Sequence, residues 1–239
     1  MKINGLSTEE LYGVKEWALE RSYAALENTS EMPDRWLTPI MIPSQVGLKT
    51  IRVTIMIEGD RAQIWRKGGA FVGALLYPVE VQFNDFPDRY FKCAIKNASH
   101  VEACLRRWHK ATAELVGYEY GAYQEVTGTG ATVAVNNAGD IITPCNVSVR
   151  PSSNMTSLAI SGLCRDPYTR EGQRITMNGL TSGATRIIDT ERGFITENGV
   201  NKFEQTDMME FPSLLPGINA IGLSRTGVAT TISFRPYYL

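Results

Sequence analysis

Histidine is nearly absent from this chain. Its 239 residues hold only two, His100 and His109, and histidine is the commonest general base of hydrolytic sites. No serine sits in a Gly-x-Ser-x-Gly elbow, so a Ser-His-Asp hydrolase has no starting point. Gly128-Thr-Gly130 lacks the third glycine of a dinucleotide fingerprint and lies in strand-like sequence, and no Walker A sequence occurs. Cysteine is scarce too: Cys93, Cys104, Cys145 and Cys164 form no Cys-x-x-Cys pair and read as reduced, mostly buried small side chains. No stretch approaches the about twenty apolar residues of a membrane span. Met1 to Glu10 has no apolar signal core, so the chain reads as soluble and not exported by a signal peptide.

A basic excess is also missing. The formal net charge is -1. Up to Gly121, seven Lys plus eight Arg balance fifteen acids for a net of 0; beyond it, one Lys plus eight Arg against ten acids give -1. Neither part has the footprint of a general nucleic-acid binder. With 43% hydrophobic and 21% charged residues the composition is globular.

What is present is strand and turn grammar. Near the start, Ser7-Thr-Glu-Glu10 has capping-box spacing and predicts a short helical turn around Leu11 and Tyr12. Glu20 to Lys49 holds Pro33, Pro39, Pro43 and Gly47 among Tyr23, Trp36, Leu37, Ile40, Met41 and Ile42. It cannot be one regular helix, and it is too apolar for a disordered linker. It reads as an extended arm or long hairpin (about 20–49) whose apolar residues need a partner surface. In Thr50 to Glu58, Ile51, Val53, Ile55 and Ile57 alternate with Arg52, Thr54 and Glu58, the clearest strand of the chain. Asp60 can cap a helix through Ile64, Trp65, Phe71, Val72 and Leu75, which Gly68 and Gly69 weaken by about 1 kcal/mol each. Pro78 to Phe83 and Tyr90 to Ile95 flank the turn-rich Asn84-Asp-Phe-Pro-Asp88 and predict a β-hairpin. From His100 to Leu115 the spacing of Val101, Leu105, Trp108, Thr112 and Leu115 is helical.

From Tyr123 the composition shifts to Thr, Gly, Asn, Ser and Val with few Lys. This places domains at 1–121 and 122–239. Short strands are expected at Ala131 to Val135, Asn146 to Arg150, Ser157 to Leu163, Arg174 to Asn178, Thr185 to Asp189, Phe194 to Glu197, Asn219 to Leu223 and Val228 to Phe234. Gly, Asn or Pro separates nearly every pair, which indicates a β-sandwich of jelly-roll type. Asn198-Gly199 suits a type I′ hairpin, and Pro216-Gly217 a type II turn.

Chemistry-bearing clusters are weak. His100, Cys104 and His109, with Cys93, are the best metal-ligand candidates, since zinc accepts both types and His100 and Cys104 would share a helix face. A core cysteine beside surface histidines is the more ordinary reading. Asp85 and Asp88, with Asp60, resemble a carboxylate set for acid–base work, but they bracket a Phe-Pro turn where aspartate bonds its own backbone. Trp36, Tyr168, Phe194, Tyr237 and Tyr238 could stack on sugars, although sandwich strands use aromatics structurally. No catalytic residue, metal or cofactor is assigned.

The order of certain blocks resembles a known family. Lys2-Ile-Asn-Gly5, the apolar arm, the strand ending at Ile57, the helix after Asp60, and Pro78-Val-Glu-Val-Gln-Phe-Asn-Asp-Phe-Pro-Asp-Arg-Tyr90 match in the first part. Ile175-Thr-Met-Asn-Gly179, Phe211-Pro-Ser-Leu-Leu-Pro-Gly-Ile-Asn219 and Phe234-Arg-Pro-Tyr-Tyr-Leu239 match in the second. Taken together they resemble the distal tail (Dit) proteins of long-tailed siphophages, the hub of the tail tip or baseplate. The resemblance implies a mainly β fold: an α+β N-terminal domain with a belt hairpin and one helix, and a C-terminal galectin-like sandwich. It implies a structural, non-enzymatic virion protein assembled in the bacterial cytoplasm as a homo-hexameric ring, with DNA passing through its channel unbound. The tail tube protein, a tail-associated (Tal-like) protein and receptor-binding or arm proteins are the implied partners, with no membrane insertion. Arg35, Trp36, Leu37, Ile40 and Ile42 of the arm are the expected oligomer interface. The resemblance also favours two strands turning near Arg106-Arg107 over the helix. A carbohydrate-binding adaptor of the host-recognition device is the alternative reading. The stretch after Gly121 has no room for an inserted carbohydrate-binding module.

Overall fold

A computed structural model describes residues 1–24, 26–31, 40–99, 102–105, 107–165 and 171–239, with the backbone alone at 26–31, 40–46 and 103–105. The fold is mainly β. The chain divides into two compact units, Met1–Tyr120 together with Leu239, and Gly121–Tyr238.

The first unit contains β1 (Lys2–Ile3), β2 (Leu6–Ser7), α1 (Thr8–Tyr12), β3 (Val14–Arg21), β4 (Leu26–Glu31), β5 (Ile40–Val46), β6 (Lys49–Glu58), α2 (Arg61–Ala74), β7 (Val79–Gln82), β8 (Arg89–Ala98), β9 (Glu102–Leu105) and β10 (Trp108–Gly121). One antiparallel sheet runs in the order β2-β1-β7-β8-β10-β6-β3, and β9 pairs with the start of β10. The period-two strand lies inside this sheet. Ile51, Val53, Ile55 and Ile57 are buried, and β6 is paired along its length by β10 on one side and β3 on the other. Burying one face of a strand at about 25 cal/mol per Å² of apolar area fixes its register, because a slip of one residue would turn that face to water. Helix α2 adds Ile64 and Phe71 to the same core cluster. Asp60 accepts from Gln63 N at 2.8 Å and Gln63 Oε1 accepts from Asp60 N at 3.1 Å, a complete capping box.

The capping box expected at Ser7-Thr-Glu-Glu10 is a correction. The helical turn is there, but the Ser7 side chain makes no cap bond. The adjacent Thr8 hydroxyl is buried, within 3.2 Å of the Met1 carbonyl and 3.0 Å of the Val14 carbonyl, and Gly13 closes the turn at φ 63°. The described residues of the 100–115 stretch form strands, Glu102–Leu105 in β9 and Trp108 onward in β10, not a helix. Ten register pairs with β6 outweigh its helical spacing.

One glycine governs the close approach of β8 to β10. A Cβ on Gly117 would lie 2.0 Å from the Lys92 carbonyl oxygen and 2.7 Å from Cys93 Cα, so no other residue fits without separating the strands.

The second unit contains β11 (Gln124–Gly128), β12 (Thr132–Asn137), β13 (Thr143–Pro151), β14 (Met155–Arg165), β15 (Gly172–Leu180), β16 (Arg186–Asp189), β17 (Phe194–Glu197), β18 (Val200–Asn201), β19 (Thr206–Asp207), β20 (Ser213–Leu214), β21 (Gly217–Leu223) and β22 (Val228–Phe234). They form two antiparallel sheets, β11-β22-β13-β16-β17-β18 and β12-β21-β14-β15-β19, with β20 joined to β13. Val133, Val135, Leu158, Ile160, Ile175 and Ile221 from one sheet meet Val147, Val149, Ile188, Ile195, Val228 and Ile232 from the other in one buried cluster, which is a sandwich. Each of the eight expected strands is present; β11 and the short β18, β19 and β20 carry too little periodicity to read. Asn198 (φ 50°) and Gly199 (φ 81°) both adopt the left-handed backbone that a type I′ turn requires, between Glu197 and its partner Val200.

Candidate assembly site at the stem of the arm

The arm leaves the sheet after β3 and returns at β6. Between them β4 and β5 form a separate two-stranded antiparallel hairpin, with Leu26 opposite Val46 and Glu31 opposite Ile40. Two isolated strands are marginal in water, so the arm's orientation depends on its stem. Arg21, the last residue of β3, and Lys49, the first of β6, are that stem, and both converge on one carboxylate. Arg21 NH1 lies 2.7 Å from Glu119 Oε1, and Lys49 Nζ lies 2.5 Å from Glu119 Oε2. Lys49 Nζ also donates to the Leu239 carbonyl at 2.7 Å, and Arg89 NH1 stands 4.0 Å from Glu119 Oε1. The side chains of Glu119 and Lys49 are 2% and 6% exposed. Buried charges persist only when paired and hydrogen-bonded, and each carboxylate oxygen here has a cationic donor. Ser22, the first arm residue, adds a backbone bond and a 2.7 Å hydroxyl bond to the Thr50 carbonyl.

The β7–β8 connection builds the wall beside this cluster. The Arg21 guanidinium sits 4.0 Å from the Phe86 ring centroid and 5.5 Å from that of Phe83, and Arg89 sits 5.5 Å from Phe86. Such contacts favour cations over ring faces. Tyr90 stacks on Tyr120 at 5.8 Å, and the Tyr120 hydroxyl donates to Glu80. Residues 80–90 thus hold the strand end that carries Glu119. By contrast, the nearby Glu20–Arg52 pair, 3.3 Å apart, is 70% and 56% exposed and contributes little.

No family model and no curated protein matches this sequence. Solved structures do. The crystal structure of the SPP1 Dit protein, named as a paradigm of the hub adsorption apparatus in phages that infect Gram-positive bacteria, aligns over 99% of this chain and 98% of its own at a TM-score of 0.78 and 15% identity. This chain has the fold of a phage Dit protein. Two structures of the phage P2 baseplate in its activated conformation, with Ca and with Sr, align at 12% identity and a TM-score of 0.41, covering 93% and 92% of this chain and 90% of each of theirs. At that TM-score neither carries an argument.

Arg35, Trp36 and Leu37 lie outside the described residues. Ile40 and Ile42 occupy β5, in register with Glu31 and Thr29. Sequence reading passed over Arg21, Lys49 and Glu119, although a signal existed. Lys49 shares the parity of Ile51, Val53, Ile55 and Ile57, and Glu119 shares that of Ala113, Leu115 and Gly117, so both charges fall on the core face of their strands. A charge in a core register demands a partner.

Among the described residues the remaining candidates do not converge. His100 lies outside the described residues, as does the Cys104 side chain, so that ligand set is not placed; among the described residues no group of three His, Cys, Asp or Glu could hold a metal. Asp85 and Asp88 are exposed in a turn, and Asp60 is engaged in its cap. Cys93, Cys145 and Cys164 are buried free thiols. Burial pushes the Cys93 thiol up to about 12 and raises Cys145 and Cys164 as well. Tyr168 and Trp36 lie outside the described residues, and Phe194 is exposed.

Proposed function

We propose that this chain is a structural hub of a phage tail tip or baseplate. It forms a hexameric ring in which units of the Met1–Tyr120 type surround a central channel. The arm between Arg21 and Lys49 clasps the neighbouring subunit, and the second unit, a galectin-like sandwich, projects outward. The tail tube protein and a tail-associated protein dock on the ring's faces, and receptor-binding or arm proteins dock at its periphery. The product is a virion component, assembled in the host cytoplasm, and the role needs no catalysis.

The observation that carries this reading is the alignment of nearly the whole chain with the SPP1 Dit hub, both units included. Two features support it. The apolar residues of the arm, from Trp36 to Ile42, would be a liability on a monomer and stabilise an assembly when covered by a neighbour. A near-neutral chain also suits DNA passage, because a strongly basic lining would hold phosphates. Less supports a carbohydrate adaptor: the cleft of about 430 Å³ bounded by Thr129, Arg150, Ser152 and Ser182 has no aromatic ring in its lining on which a sugar could stack.

Native mass spectrometry across a concentration series, with negative-stain images of the heaviest species, tests the reading. A six-membered ring with an open centre is expected. Replacing both Trp36 and Ile40 with Asp should preserve the fold and prevent ring closure. A strict monomer at every concentration, with saturable glycan binding lost on removing residues after Gly121, would replace the hub with the adaptor.

A further inference from the structure

We infer that Glu119 is the positioning residue of the arm: a single buried carboxylate that ties both stems and sets the direction in which the arm leaves the sheet. The functional consequence rests on the reading of the arm as the clasp between subunits; the positioning itself rests on geometry alone. The β3–β6 ladder already joins the two stems, with Arg21 opposite Ile51 and Ser22 N donating to the Thr50 carbonyl. Glu119 adds a tie from a third strand, β10, to both stems at once, on two oxygens of one planar group. Oε1 takes Arg21 at 2.7 Å and Oε2 takes Lys49 at 2.5 Å. Glu119 is in turn fixed by its own strand, which pairs with β6 up to Gly117 opposite Lys49. The rings of Phe83 and Phe86 confine the Arg21 guanidinium from the other side. A third cation, Arg89, stands off at 4.0 Å, whereas the two that bound the arm lie at 2.7 and 2.5 Å. A clasp that must meet a neighbour in one register gains from this, since ordering the arm in advance reduces the entropy lost on association.

The test uses the full chain with Cys104→Ser, spin labels on cysteines introduced at Thr29 in β4 and Lys96 in β8, and excess unlabelled protein to suppress contacts between labelled copies. Pulsed electron–electron double resonance then reads the arm-to-sheet distance distribution in the parent, in Glu119→Gln, and in Arg21→Gln, which leaves the more buried Lys49–Glu119 pair in place. A narrow distribution in the parent that broadens at least about twofold in both variants, with parent-like circular dichroism, is the expected result. Equal widths in parent and variants, whether all narrow or all broad, overturn the inference. So does broadening accompanied by equal loosening of a control pair placed within β6 and β10. If Glu119→Gln does not fold, Arg21→Gln decides alone. Ring assembly is read separately, in a chain whose residues 22–48 are replaced by a short Gly-Ser linker. Assembly unchanged in that chain removes the clasp, and the distance widths alone then decide whether Glu119 positions the arm. When the linker chain fails to assemble, broadened arms should raise the concentration needed for ring formation by about tenfold or more, the equivalent of one charge-assisted hydrogen bond. Broadened arms with parent-like assembly would restrict Glu119 to positioning without consequence for the ring, and would overturn the functional half of the inference.

Discussion

The Lys49 ammonium and the Glu119 carboxylate lie 2.5 Å apart with side chains 6% and 2% exposed. Removing one partner of such a pair strands the other charge out of water. Glu119→Ala should therefore cost about 3–5 kcal/mol, whereas the double change Lys49→Met, Glu119→Leu should cost less than that single one. Denaturant unfolding followed by tryptophan fluorescence checks this in the right place, because all four tryptophans, Trp17, Trp36, Trp65 and Trp108, precede Gly121.

Gly117→Ala should destabilise the first unit by about 1–3 kcal/mol or more, since its Cβ would overlap the Lys92 carbonyl. Gly69→Ala is the contrast. Nothing lies within 4 Å of a Cβ there, and in the helix interior alanine should gain up to about 1 kcal/mol. The same fluorescence assay should show the two midpoints moving in opposite directions.

Asp60→Ala should cost about 1 kcal/mol through loss of the bond to Gln63 N. Asp60→Asn should recover most of it. Exchange of the first amides of α2 is the local readout, and equal exchange in parent and Asp60→Ala would mean that the cap does not hold the first turn.

Burial raises the Cys93 thiol from its ordinary value near 9 to about 12. Because the folded value lies above the unfolded one, the associated stability is fully present below about pH 9 and is lost as pH rises toward 12. Cys93→Ala should flatten the alkaline decline of the unfolding midpoint. In the native protein at neutral pH, mass spectrometry after alkylation should find Cys93, Cys145 and Cys164 unmodified.

Arg186 in the second unit is fully buried. It meets Glu197 at 2.9 Å and the carbonyls of Asn178 and Gly179 at 2.7 and 3.1 Å. Arg186→Leu should cost about 3–5 kcal/mol by stranding Glu197. Circular dichroism should report the loss while the tryptophan transition of the first unit stays in place.

Much of the fold was legible because its signals are local. The alternation of Ile51, Val53, Ile55 and Ile57 needs no partner to be recognised, and Asp60 with Gln63, or Asn198 with Gly199, sets its backbone within three residues. Where local and non-local terms compete, local reading loses. Val101, Leu105, Trp108 and Thr112 keep helical spacing, yet the residues of β6 that pair with β10 lie fifty or more positions away. Ser7 has the right neighbours for a cap and does not serve as one, because the adjacent Thr8 hydroxyl is buried against the carbonyls of Met1 and Val14.

Local pattern marks most of the strands and several of the turns, the apolar arm between two strand signals, and the core-facing parity of Lys49 and Glu119. It could not say that they point at each other. Seventy positions separate Lys49 from Glu119 and ninety-eight separate Arg21 from Glu119. Only the pairing of β3 with β6 and of β6 with β10 brings the three charges to one end of one sheet. Desolvation then makes their union obligatory, since a charge buried there alone would cost more than the packing of its strand could offset.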